Sequence, residues 1–401
     1  MIYYDMPDSM KKVITPLTDD LLIIDSEDNE ITIYQDFVEK HKIGIPSGVM
    51  IKSKSKIYPC AVPDVGCGFR VVKFEGVSKE DFLKNEQLIN KINQFLNGKT
   101  EKDLIKGKQI TVESMLRQGY YATAHIFSEE RSQRYENKGV FHIDTNHKHK
   151  KEIFPAEKPT SLFNKYQGHF LEFLEPINNK TESVYLLIHT GSFILAENLK
   201  SYYYPLLAKL SYTNKWSNEQ EVLSGKFGIL KNCDIVTEYY NDIKLIMNFS
   251  IAYRDLIEYC LEEIIKNELG KEIHSVVLSD YNHTKLDIAQ EYVIHQRGIQ
   301  FLNQSKDTQY VISGNYGIGS LLFMTSKDQF FSHGVQIDIN LCPEYLPESR
   351  KLFSKELYMN NEALKMLKQS SLAQIAYDFY LSKNTIFVDY LIPFYSFKGE
   401  K

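Results

Sequence analysis

The sequence predicts an α+β fold, and three observations carry that prediction. Residues 11–75 read as short apolar runs separated by turns, which is strand patterning. Two later segments instead keep apolar residues at helical spacing. No internal repeat and no clean linker interrupts the 401 residues, so a single domain over 1–401 is expected. Composition agrees, since 43% hydrophobic and 25% charged residues are ordinary for a soluble globular chain that can bury a large core.

In order along the chain, Asp20–Ile24, Ile31–Tyr34 and, after Pro46, Gly48–Ile51 are expected strands. Ser78 and Asp81 form a capping-box pattern ahead of Phe82, Leu88, Ile89, Ile92, Phe95 and Leu96. Gly98 stands where a helix would close, so the spacing predicts one helix over 78–98. From 127 to 160 the pattern dissolves into a polar loop insertion, and its run His147-Lys148-His149-Lys150-Lys151 is expected to face water. Gly168–Phe173 and Val184–Ser192 restore strands, the second delivering His189 directly before a glycine turn. Residues 199–228 combine Tyr and Lys with the sole tryptophan, Trp216, and are expected to pack peripherally.

A long helix is predicted over 242–268, where Leu245, Phe249, Ala252, Leu256, Cys260 and Ile264 recur at helical spacing and Gly270 follows. Ser275–Ser279 is then a short strand leading into Asp280-Tyr281-Asn282-His283-Thr284. The turn Gly314-Asn315-Tyr316-Gly317-Ile318-Gly319-Ser320 offers amides that could cradle a phosphate. It lacks the lysine and spacing of a P-loop and the strand-helix context of a dinucleotide turn. Phe330-Phe331-Ser332-His333-Gly334, helices near 361–382 and a strand over Thr385–Pro393 complete the chain.

A formal net charge of −5 argues against a generic coat on a polyanion and leaves only a local basic groove for nucleic acid. The start of the chain, with Asp5 and Asp8, has no basic and apolar leader, and no stretch is apolar enough to span a bilayer. A cytoplasmic protein with no membrane partner is expected. Five cysteines, Cys60, Cys67, Cys233, Cys260 and Cys342, are too unevenly spaced for a disulfide framework, so reduced thiols are expected.

The chemistry concentrates in Val62-Pro63-Asp64-Val65-Gly66-Cys67-Gly68-Phe69-Arg70. A carboxylate and a thiol stand three residues apart on a backbone that two glycines let turn, just before a strand. That pair suits Mn, Fe, Co or Zn rather than Mg or Ca, which take oxygen ligands. A buried cysteine beside a turn aspartate explains the stretch equally well when it is read alone. The histidines add to it: His169, His189, His283 and His333 each sit where an apolar run meets a small or polar turn. With Asp64 and Cys67 they compose a candidate two-metal or metal-plus-nucleophile site.

The segments Asp64–Arg70, Gly168–Glu172, His189–Ser192, Met247–Phe249 with Arg254, Asp280–His283, His295–Gly298, Gly314–Ser320, Ser332–Gly334 and Lys398-Gly399 resemble, in that order, the RtcB family of RNA ligases. The resemblance runs from about residue 41 to the end. It implies a single α+β domain with a central β-sandwich, peripheral helices and a pair of manganese ions. It implies that Cys67 bridges the two ions, with Asp64 and His169 completing one and His189 and His283 the other. His333 would be the nucleophile that takes GMP from GTP. Glu172, Gly314, Asn315, Ser320 and Lys398 would surround the nucleotide. The implied substrate is RNA with a 3′-phosphate or 2′,3′-cyclic phosphate end and a 5′-hydroxyl end, in tRNA splicing or RNA repair, and an activating protein is a conceivable partner.

The chain also departs from the family pattern. Gly168 replaces an Asn, Phe193 an Arg and Thr284 an Asn, and Val335-Gln336-Ile337 stands where Ala-Gly-Arg is usual. These changes remove amide and guanidinium contacts to phosphate. Two other readings follow from them: a metal-dependent phosphoesterase acting on RNA ends without nucleotide transfer, and a catalytically degenerate member that binds RNA.

Overall fold

Period-two alternation within the strands decides the layers of this protein. The computed structural model describes residues 1–15, 18–38, 44–97, 105, 108–124, 140–154, 169–178, 182–304, 308–314, 319–334 and 378–398, and it is α+β as expected. The strands that matter here are β1 (Ile2–Asp5), β2 (Asn29–Val38), β3 (Ser47–Ser53), β4 (Gly68–Glu75), β5 (Phe170–Pro176), β6 (Ser183–Thr190) and β7 (His274–Asn282). They continue with β8 (Thr284–Ile288), β9 (Val293–Arg297), β10 (Ile299–Leu302), β11 (Tyr310–Ile312), β12 (Ser320–Thr325), β13 (Gln329–Ser332) and β14 (Thr385–Lys398). The principal helices are α1 (Glu86–Leu96), α2 (Phe193–Thr213) and α3 (Asp234–Leu269).

Seven strands form one sheet in the order β11–β12–β14–β5–β6–β4–β7, and five form another in the order β1–β2–β3–β9–β8. In β6, Val184, Leu186 and Ile188 join the main core with Leu88 and Ile92 of α1 and Leu256 of α3. Tyr185 and Leu187 face the other way, into a second cluster with Phe69, Val71, Leu174, Val311, Leu322 and Leu391. That second face is concave. Tyr281 at one edge of the sheet donates its hydroxyl to the Val311 carbonyl on the opposite edge strand at 3.2 Å, so the sheet curls until it is nearly closed. Side chains at 185, 187 and 189 share that inner face by alternation, which sends His189 to the end of the concavity.

α3 runs 36 residues and ends on Gly270, whose φ of 60° is left-handed. It begins eight residues before the expected start because Val236 and Tyr239 extend its buried face. The run expected as a strand at 20–24 is a 3-10 helix, Asp19–Ile24. Leu21 and Ile24 are buried while Leu22 is exposed, a three-residue spacing that a short apolar run does not announce. The helix expected over 78–98 is two. Ser78 and Asp81 do form a capping box, on Lys79–Leu83, and Asn85 then accepts the Leu88 N–H at 3.0 Å to start α1. Gly98 and residues 361–377 lie outside the described residues.

Residues 140–154 are irregular and tied to α3, while 127–139 and 155–160 of the expected polar loop lie outside the described residues. Asn248 exchanges hydrogen bonds of 2.8 and 3.0 Å with the Phe141 backbone. His147 lies 2.6 Å from Asp242 and Lys150 2.8 Å from Glu238, so the basic run pairs with acids of the helix. Trp216 is half-buried against the main core. Among the described residues no helix is long and apolar enough to cross a membrane.

Candidate metal and nucleotidyl-transfer site

Four strand ends and the turns that follow them meet at the mouth of the concave face. Cys67 comes just before β4, His189 is the penultimate residue of β6, His283 joins β7 to β8, and His333 follows β13. Main-chain bonds lock these together. The Cys67 carbonyl accepts the His283 and Thr284 N–H groups at 2.9 and 3.2 Å, and Gly66 donates to the Thr284 carbonyl at 3.0 Å. Gly66 has a φ of 84°, and a Cβ there would stand 2.3 Å from Ser250 Oγ on α3. A side chain could therefore neither adopt that turn nor fit against the helix.

The donor atoms of Cys67, His189 and His283 lie within 4.8 Å of one another, and all three residues are buried. Cys67 Sγ is 3.2 Å from His189 Nε2, and His189 Nε2 is 3.0 Å from His283 Nε2. His169 approaches the same sulfur from another side, its Nε2 3.4 Å away. Ligands held at about 2.0–2.3 Å from a common ion lie about 3.3–3.6 Å apart; the 3.4 Å contact is within that range, and the 3.0 and 3.2 Å pairs would need to open by only a few tenths of an ångström to take a transition metal. A thiolate with imidazoles is also the chemistry such ions accept. Cys60, by contrast, is wholly buried and its thiol is pushed up to about 12 by desolvation, which keeps it protonated and unfit as a ligand.

Asp64 stands apart from the tight trio. Its carboxylate lies 3.4 Å from Nε of Arg297. That guanidinium is 1% exposed, and its nitrogens make no hydrogen bond among the described residues.

His333 packs directly on this cluster, its ring centroid 4.2 Å from that of His283 and 5.5 Å from that of Phe69, on which it stacks. Its Nδ1–H donates to the Gly298 carbonyl at 3.0 Å, and the buried Asp36 carboxylate is 2.5 Å from the same nitrogen. Holding the proton on Nδ1 leaves a lone pair on Nε2. Gly298 has a φ of 68°, and a Cβ there would come within 3.0 Å of His333 Nδ1 and 2.3 Å of Ser47 Oγ. Asp36 was not among the expected residues. The signal for it is an acid inside the apolar run Ile33-Tyr34-Gln35-Asp36-Phe37, since an unpaired carboxylate is almost never fully buried.

His295, in the same motif as Arg297, is structural. Its Nε2 accepts the Tyr58 N–H at 2.9 Å and its Nδ1–H donates to the Ile51 carbonyl at 3.3 Å. Burial lowers it to about 4.

The residues expected around a nucleotide are partly gathered. Glu172 accepts the Ser396 hydroxyl at 3.1 Å. Gly314 donates its N–H to the buried Ser320 hydroxyl at 3.1 Å. Ser313, next to Gly314, bridges to Gly334 beside His333. Lys398 pairs through its backbone with Phe170, while Asn315 lies outside the described residues. Of the departures, Thr284 is buried with its hydroxyl 3.4 Å from His283 Nδ1, Phe193 opens α2, and Gly168 and Val335–Ile337 lie outside the described residues.

A family model described as tRNA-splicing ligase RtcB matches residues 40–334. The match takes in Asp64, Cys67, His169, His189, His283 and His333 and ends before Lys398. No curated protein matches the chain.

Proposed function

This chain belongs to the RtcB family of RNA ligases, and from that premise we propose that it joins RNA 3′-phosphate or 2′,3′-cyclic phosphate ends to 5′-hydroxyl ends, using GTP and manganese through a histidine-GMP intermediate. The observation that carries the reading is the contact of His333 Nδ1 with the Gly298 carbonyl, an acceptor that calls for the proton on Nδ1. With Nδ1–H donated to the Gly298 carbonyl and the Asp36 carboxylate beside it, Nε2 is the nitrogen left to attack. Attack on the α-phosphorus of GTP forms the P–N bond as the bridging P–O bond to the β-phosphate breaks, releasing pyrophosphate. The GMP then passes to the RNA 3′-phosphate, and the 5′-hydroxyl displaces it to form the phosphodiester.

Cys67, His189, His283 and His169, with Asp64, are the residues that would hold the metal ions. Such ions would neutralise charge on the transferring phosphoryl group. Cys67 would contribute its thiolate alongside both His169 and His189, whose Nε2 atoms lie 3.4 and 3.2 Å from its sulfur. Arg297 adds a buried cation with unspent donors beside Asp64, which suits a phosphate oxygen. Glu172 suits the N1 and N2 donors of guanine.

The test is incubation with Mn²⁺ and α-labelled GTP, followed by denaturation and detection of retained label. Label that is absent from His333→Ala supports the reading. No label from GTP or ATP in metal-loaded wild type overturns it. Hydrolysis of cyclic-phosphate ends without GTP in such a preparation would point to the phosphoesterase instead.

A further inference from the structure

Three candidate metal-ligand segments converge on one arginine of α3. Arg254, on α3, is fully buried. Its Nη1 donates to the Thr190 carbonyl at 3.1 Å and to the Gly66 carbonyl at 3.3 Å. Its Nη2 donates to Asn282 Oδ1 at 2.9 Å and to Asp280 Oδ1 at 2.6 Å, and Nε donates to Asp280 Oδ1 at 2.9 Å. All five guanidinium N–H groups are thereby used. Gly66 precedes Cys67, Thr190 follows His189, and Asn282 precedes His283. Each member of the tight donor trio is thus a chain neighbour of a group that Arg254 holds.

The anchor is itself held. Asp280 also accepts from Arg70 Nη1 at 2.7 Å, and Arg70 binds Asp255 and Glu258 of α3 at 2.5 Å each. Fixing two peptide carbonyls and the Asn282 side chain beside three candidate ligands restrains the directions in which those ligands leave the backbone, and so the separation of their donor atoms. A planar fork can do this where a single ammonium cannot reach all the acceptors.

We infer that Arg254 is a positioning residue for the Cys67, His189 and His283 donor set, determining its metal affinity without touching the ion. The inference rests on the metal reading of that set. The plain alternative is that Arg254 only ties the helix to the sheet, in which case its replacement lowers stability and leaves metal binding alone.

Cobalt(II) titration of the full chain, followed by thiolate-to-cobalt absorption, separates these. Arg254→Lys is expected to fold and to bind cobalt 10–100-fold more weakly than wild type, the range seen when groups behind metal ligands are removed. Asp242→Asn serves as the comparison. It breaks a buried contact on the same helix, to His147 at 2.6 Å and Tyr203 at 2.7 Å, and is expected to lower Tm with cobalt affinity unchanged. Should Arg254→Lys fail to fold, Asn282→Ala, which removes one acceptor, is expected to weaken cobalt several-fold. Wild-type affinity and spectrum in Arg254→Lys, or in Asn282→Ala where that variant stands in, overturn the inference. Absence of cobalt absorption in wild type overturns the metal reading, and the inference falls with it.

Discussion

Asp36 and His333 lie 297 positions apart in the chain, yet the carboxylate of one stands 2.5 Å from Nδ1 of the other, with both residues buried. β2 carries the acid and the turn after β13 carries the imidazole, so neither has a local reason to meet the other. The Gly298 carbonyl holds the Nδ1 proton, and a carboxylate beside the ring would stabilise the positive charge that builds on it as Nε2 bonds to phosphorus in the proposed reaction. Asp36→Asn is therefore expected to lower retention of GMP label by roughly 10²–10⁴-fold, the scale on which loss of the carboxylate behind a catalytic imidazole acts. Metal content should be unchanged, and labelling rates beside metal analysis check both.

Gly298→Ala tests the same histidine from the backbone side. The left-handed φ of 68° costs alanine about 1–2 kcal/mol, and the new methyl group would press on His333 Nδ1 and Ser47 Oγ. The expected outcome is a lower midpoint in urea and a loss of labelling larger than the stability change accounts for.

Metal removal should destabilise the fold, because a bound ion stabilises only the native donor set. At an ion concentration about 100 times the dissociation constant, that contribution is about 2.7 kcal/mol. Chelator is expected to lower the Tm of wild type and to leave Cys67→Ser, which loses the soft sulfur shared by His169 and His189, almost unmoved. Thermal melts with and without chelator check this.

Acid should unfold the protein partly through His295. Its folded value of about 4 lies below the ordinary 6.5, so the unfolded chain takes up the proton first as pH falls. The neutral ring's contribution is present above about 6.5 and is lost between 6.5 and 4. Over that window it amounts to roughly 3 kcal/mol. His295→Gln is expected to be less stable at pH 7 and to show a flatter decline, measured as urea midpoints between pH 7 and 4.

Much of the site was legible because its ligands occupy strand ends beside small residues, a local pattern. Gly66 and Gly298 mark left-handed turns that favour glycine, and Cys67, His189, His283 and His333 sit at the apolar-to-turn junctions that the sequence displays. The split after Lys84 and the 3-10 turn at 19–24 were not legible, since a short apolar run fits several backbones equally well.

What the sequence by itself determined, then, is the class of fold, the family and which residues are candidate donors, because those depend on residue type and local period. Tertiary structure alone decided that Asp36 stands beside His333, that Arg297 stands beside Asp64, and that Arg254 holds three candidate ligand segments at once. Each of these relations is created by strand register and by one long helix crossing the sheet, and such pairings bring together residues whose separation in the chain carries no information about their distance in space.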